Sequence, residues 1–185
     1  MEPSTYLSLS KVNPNKKQRH MSSTKDPVMS TFTIELANLD LKKHTQAIIN
    51  LLDLFSKDKM GQNEPLEEGI KKDVIQKLRK HPTTLVFLAF KDEQPIGLVT
   101  AFLGFSTFTA KQTLKIHDLV VHPDARGLGL GTKLLDYVQE EAERRDCSKI
   151  TLEVREDNPA KKLYEREGFE FGEPRWWYMT KELPA

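Results

Sequence analysis

Glycine stands at every second position of Arg126-Gly127-Leu128-Gly129-Leu130-Gly131-Thr132, between a run that reads as a strand and one that reads as a helix. The side chains that ordinarily cover backbone amides are missing there, so neighbouring N–H groups are left bare. The helix that follows adds the positive end of its macrodipole. Strand, bare loop and helix N-terminus in that order make an anion cradle, most simply for a pyrophosphate. The same stretch constrains the fold. It opens the helix of a strand–helix–strand crossover from Leu114 to Val154, so part of the sheet must be parallel.

Two familiar phosphate loops are excluded by single residues. A P-loop counted from Gly127 needs its second glycine at Thr132; Lys133 then fits, but Leu134 stands where the metal-binding hydroxyl belongs. A dinucleotide fingerprint started at Gly127 or Gly129 demands glycine at Thr132 or Leu134 and finds neither. A glycine-rich turn without a ligand is the plain alternative. Gly129 and Gly131 weigh against it, because glycine at the mouth of a helix is a poor helix former and needs another reason.

A chain of 185 residues suits one domain plus a tail. We divide it into a flexible polar tail over 1–30 and a single domain over 31–185; Met21 and Met29 offer later translation starts. A net charge of +1 leaves no electrostatic footprint for nucleic acid or an anionic membrane. The single Cys147 cannot form an internal disulfide, and no Cys/His cluster has metal-ligand spacing. No apolar run approaches a membrane span or a signal-peptide core. The expectation is a cytoplasmic protein without a metal.

Order is expected from Phe32 to Leu36 as a strand. A helix capped by Asp40 follows, then a second through Ile70, Val74, Ile75 and Leu78. Leu85–Phe90 and Ile96–Phe105 read as antiparallel strands around a polar Lys91–Gln94 turn. Leu114–Val121 is a further strand. The helix from Leu130 to Arg145 turns Leu134, Leu135, Val138 and Ala142 inward and Glu140, Glu141, Arg144 and Arg145 to water. A strand over Lys149–Val154, a short helix ended by Gly168, and a terminal strand pair near Phe169–Phe171 and Trp176–Thr180 complete the order.

Val121-His122-Pro123-Asp124-Ala125-Arg126-Gly127-Leu128-Gly129-Leu130-Gly131 resembles the acyl-CoA-binding motif of the GNAT superfamily of N-acetyltransferases, R/Q-x-x-G-x-G/A, matched from Arg126 to Gly131. Downstream, Asn158-Pro159-Ala160 and Leu163-Tyr164 through Gly168-Phe169 resemble that family's second signature. The resemblance implies an α/β (α+β) fold. Its sheet is strongly bent, mixed and mostly antiparallel, flanked by helices, with parallel central strands that splay apart. It also implies acetyl-CoA as co-substrate. The pyrophosphate would lie on the amides of Arg126, Gly127, Leu128, Gly129, Leu130, Gly131 and Thr132, and the pantetheine arm against Leu119, Val120 and Val121. Asn158 would bond that arm or cap its helix. The resemblance also admits a homodimer.

Acetyl transfer to an amine requires a neutral amine and an acid for the departing thiolate, because an alkyl amine has a pKa of about 10 and a thiol one of about 8.5. By resemblance Tyr164 is the acid. His117 and Asp118 occupy the place where polyamine-acetyltransferase-like members carry two acidic residues, so the pattern is half kept. Strand alternation is expected to send their side chains to opposite faces. For each, a structural hydrogen bond at a strand bulge is the competing role. The function implied is acetyl transfer to a small-molecule amine. A protein lysine or N-terminus as acceptor, and a non-catalytic acyl-CoA sensor, are the alternatives.

Overall fold

The run Leu85-Val86-Phe87-Leu88-Ala89-Phe90 has no polar alternation because its strand is covered on both faces. Leu85, Phe87 and Ala89 pack with Leu130, Leu134 and Val138 of a helix on one side. Val86, Leu88 and Phe90 pack with Ile48, Leu51 and Ile75 of two helices on the other. The computed structural model describes residues 32–184, so the expected tail lies outside the described residues.

The elements in chain order are β1 (Thr33–Leu36), α1 (Lys42–Ser56), α2 (Glu68–Lys80), β2 (Thr84–Lys91), β3 (Gln94–Ser106), β4 (Lys111–Val121), α3 (Leu130–Arg144), β5 (Ile150–Thr151) and α4 (Lys161–Arg166). The sheet order is β1-β2-β3-β4-β5, antiparallel throughout except for the parallel β4–β5 pair. β2 and β3 join through Asp92 and Glu93, both with positive φ, the backbone twist that a two-residue hairpin requires. Among the described residues, no helix is long and apolar enough to cross a membrane.

The mixed, mostly antiparallel sheet with flanking helices is the expected one, and its parallel pair does part. Among the described residues β4 and β5 pair only at Leu114–Ile150 and Lys115–Thr151, after which β4 runs on to Val121 with no strand paired on that side.

Four local expectations are corrected. Asp40 does not cap α1: the N-cap is Leu41 without a side-chain bond, and Asp40 pairs with Arg79 at 3.1 Å. Glu141 does not face water; it is buried and holds Arg144 and Arg145 at 2.6 and 2.5 Å. Burial pushes its carboxyl up, but the two arginine hydrogen bonds prevail and hold it below the usual range. The fifth strand is confined to Ile150–Thr151. The terminal strand pair does not form, and Trp176 and Trp177 stand 86% and 89% exposed. Alternating aromatics predict a strand only where a sheet edge pairs with them, and β5 offers two residues of edge.

Candidate active site

β4 ends at Val121, and a short 3-10 turn over Pro123–Ala125 leads into the glycine loop. His122 accepts a bond from the Asp124 N–H at 3.4 Å and so caps that turn. Gly127 and Gly129 have φ of 78° and 79°, the left-handed region that side chains resist. A Cβ at either would meet nothing within 4 Å, so these two glycines serve backbone geometry and leave space above the loop. Gly131 has a different reason. A Cβ there would lie 2.9 Å from Leu163 Cδ2, so it is the close approach of α4 to α3 that keeps this position bare.

Among the described residues, no backbone N–H from Gly127 to Thr132 donates to a protein acceptor, while the next, Lys133, donates to the Gly129 carbonyl at 3.2 Å. These are the unpaired donors of a helix N-terminus, extended backward by the left-handed turn. The side chains of the loop are otherwise engaged. Leu130 is buried in the core and Leu128 is exposed. The Thr132 hydroxyl donates to Glu167 Oε1 at 2.8 Å, tying α3 to the end of α4. Arg126 donates from Nε to the Val121 carbonyl at 3.3 Å and from Nη2 to Asp58 at 3.0 Å. Its guanidinium therefore fixes the loop and joins it to the segment between α1 and α2. Arg155 holds the same segment, donating to the Lys59 carbonyl at 3.2 Å.

Leu119, Val120 and Val121 pair with Val99, Leu98 and Gly97 of β3 along one edge of β4. Their other edge faces the gap where β5 has parted. Lys115 and Glu153 are bridged at 2.7 Å near the start of that gap. Asn158 accepts from the Ala160 N–H at 2.9 Å, a turn ahead of α4, whose N-cap is Ala160.

His117 and Asp118 do not point to opposite faces. The register steps from Thr100–Asp118 to Ala101–Ile116, so His117 is the extra residue of a β-bulge. The bulge cancels one alternation and brings the two side chains together, with His117 Nδ1 3.2 Å from Asp118 Oδ1. The hydrogen bond to Asp118 raises the imidazole pKa above its ordinary value; partial burial opposes this, and the Asp118 charge adds to it. The His117 ring also stands perpendicular to Phe102 at 5.8 Å. Thr100, the cross-strand neighbour of Asp118, is buried, and its hydroxyl has no partner among the described residues.

Tyr164 lies elsewhere. It lines a cavity of about 380 Å³ along β5 with Ile150, Leu152, Val154 and Phe169, and that cavity includes neither His117 nor Asp118. Burial pushes its phenol pKa up. Asp58, Arg155, Thr100 and Glu167 were not anticipated, since each bears on the site through residues far away in the chain. Trp176 and Trp177 are exposed.

The acetyltransferase (GNAT) family model matches residues 48–169. The uncharacterized N-acetyltransferase MJ1207 of Methanocaldococcus jannaschii is 32% identical over 101 residues, which cover 52% of this chain and 45% of that protein. The match thus spans less than half of the relative's length. A ribosomal-protein-alanine N-acetyltransferase from Brucella melitensis biovar Abortus 2308 superposes with a TM-score of 0.66 at 20% identity, covering 83% of this chain and 100% of that one. An aminoglycoside acetyltransferase from an uncultured soil metagenomic sample, in complex with sisomicin, gives 0.68 at 18% identity, with 83% and 97% covered. At those identities the likeness establishes the fold alone. The family match, spanning the glycine loop and α4, is decisive: the chain belongs to the acetyltransferase (GNAT) family, a family of acyltransferases.

Proposed function

We propose that the protein transfers an acetyl group from acetyl-CoA to a small-molecule primary amine, by direct attack of the amine on the thioester. The observation that carries this is the row of uncommitted N–H groups from Gly127 to Thr132 at the N-terminus of α3. They fit a pyrophosphate in number, polarity and clearance. The open edge of β4 from Leu119 to Val121 suits an arm that carries amide groups. Bound there, acetyl-CoA supplies an acyl group already activated toward amines.

The protein's own side chains manage the protons. Asp118 orients His117 through Nδ1, leaving Nε2 to accept the proton that an alkyl ammonium must lose. The Tyr164 phenol, kept protonated by burial, supplies a proton to the thiolate.

The test is thiol release from acetyl-CoA over a panel of primary amines, followed as a function of pH. Release is expected only when an amine is present. As a base His117 must be neutral, so kcat/KM is expected to rise with pH through a value above 6.5, and Asp118→Asn should move that limb down. Folding stability carries the opposite sign. A raised folded-state pKa stabilises fully below 6.5 and its contribution is lost as pH rises past the folded value. Tight acetyl-CoA binding with no amine-dependent release across the panel would favour the sensor alternative.

A further inference from the structure

On the same face of the sheet as His117 and Asp118, α2 stands away from β3 and leaves a groove of about 720 Å³. Its walls are Ile70, Val74 and Leu78, one helical turn apart along α2, and Phe102 and Leu103 of β3, with Lys115 of β4 at one end. That volume falls in the range of small-molecule sites, and the lining is mostly hydrocarbon, as such sites are. α2 has reason to face it. Only Ile75 of α2 is buried, whereas Ile70 is left 44% exposed, so the apolar stripe of this helix is only partly used by the core.

Neither His117 nor Asp118 lines the groove, but one of its walls touches His117. Phe102, one of its walls, is the ring that meets His117 edge-on at 5.8 Å. Lys115 precedes His117 by two residues on the same face of β4. Two of the charged side chains along it are already paired, Lys115 with Glu153 at 2.7 Å and Lys77 with Asp73 at 3.2 Å. A ligand lying there therefore meets mostly hydrocarbon, with Glu67 and Asp73 also in the lining and the His117–Asp118 pair beyond Phe102. One positive charge is complemented. Among the described residues Glu67 is the lining carboxylate outside any ion pair, so a second charge finds a partner only there; held against Ile70, Val74 and Phe102 it is desolvated without one, which costs heavily.

We propose that the acceptor is a hydrophobic primary amine, an arylalkyl or longer alkyl amine, whose ammonium head approaches His117 and Asp118 while its apolar body fills this groove. This rests on the reading that the His117–Asp118 pair receives the amine. It separates the protein from enzymes for polycationic acceptors, despite the half-kept acidic pattern at His117 and Asp118.

The experiment measures kcat/KM for thiol release from acetyl-CoA by the full chain. The acceptors are n-alkylamines from propyl to octyl, phenethylamine, spermidine and kanamycin. Burying each further methylene is expected to raise kcat/KM by about fourfold until the groove is filled. Phenethylamine is expected to exceed spermidine and kanamycin. Ile70→Asp, at a half-exposed position, is expected to flatten the alkyl series while acetyl-CoA affinity by calorimetry and melting temperature stay unchanged. A flat series in the wild type, or a preference for spermidine or kanamycin, overturns the groove assignment and leaves acetyl transfer standing. Absence of thiol release with every amine overturns both.

Discussion

Replacing Gly129 with Asp is expected to abolish acetyl-CoA binding while the protein stays folded. The backbone there has φ of 79°, and Asp is among the few residues that tolerate this region, at a cost of about 1 kcal/mol. Its Cβ meets nothing within 4 Å, so no neighbour has to move. What changes is the charge. A carboxylate would enter the convergence of the N–H groups from Gly127 to Thr132 and satisfy the donors that a pyrophosphate needs. It would also repel the phosphates at a helix N-terminus whose value lies in attracting them. We expect the affinity to fall at least ~100-fold, about 2.7 kcal/mol, by calorimetry. Gly129→Asn separates charge from shape: it tolerates the same backbone without the negative charge and should keep most of the affinity. Equal losses for Asp and Asn would mean that backbone geometry, not anion binding, is the function of this glycine. Gly131 would give no such separation, because a Cβ there lies 2.9 Å from Leu163 Cδ2 and that side chain has to shift.

The second large effect is expected at Tyr164. Tyr164→Phe should lower kcat by roughly two orders of magnitude, the low end of what a positioned acid contributes, with acetyl-CoA affinity nearly unchanged. The two quantities part because the hydroxyl is asked to act only as the thiolate forms. Packing should survive the change, since the ring keeps its edge-on contact with Phe169 at 5.8 Å and loses only an oxygen. Single-turnover kinetics check this where chemistry limits the rate. The position of Tyr164, in a cavity along β5 apart from the His117–Asp118 pair, makes the experiment discriminating. If kcat is unchanged with chemistry rate-limiting, Tyr164 is a packing residue and the thiolate takes its proton from water.

Much of the fold was legible because its signals are local. The apolar run of β2, the polar turn between β2 and β3, and the helical stripe of Leu134, Leu135 and Val138 each announce an element within a few residues. The glycine loop was legible for the same reason, although its three glycines turned out to serve two purposes. Gly131 answers to Leu163, and nothing in the loop itself announces that contact.

What escaped was set by distant partners. The bulge at His117 exists only in the count of β4 against β3, so alternation read along one strand sent the side chains apart. Arg126 meets Asp58 in the segment between α1 and α2, a pairing without a sequence signal. Glu141 is the exception. Arg144 and Arg145 follow it at helical spacing, and that pairing was visible as a means of burying the carboxylate. The terminal aromatics failed in the other direction: a strong strand pattern met no sheet edge able to take it.

The central claim is that the backbone N–H groups of the loop after β4 bind acetyl-CoA. Titrating acetyl-CoA into isotopically labelled protein and following backbone amide resonances tests it at the atoms concerned. The amides of Gly127, Gly129 and Gly131 are expected to shift together and saturably, with those of Leu119 to Val121 following the same curve. Saturable shifts elsewhere with the loop amides unmoved, or no shift at all, would contradict it.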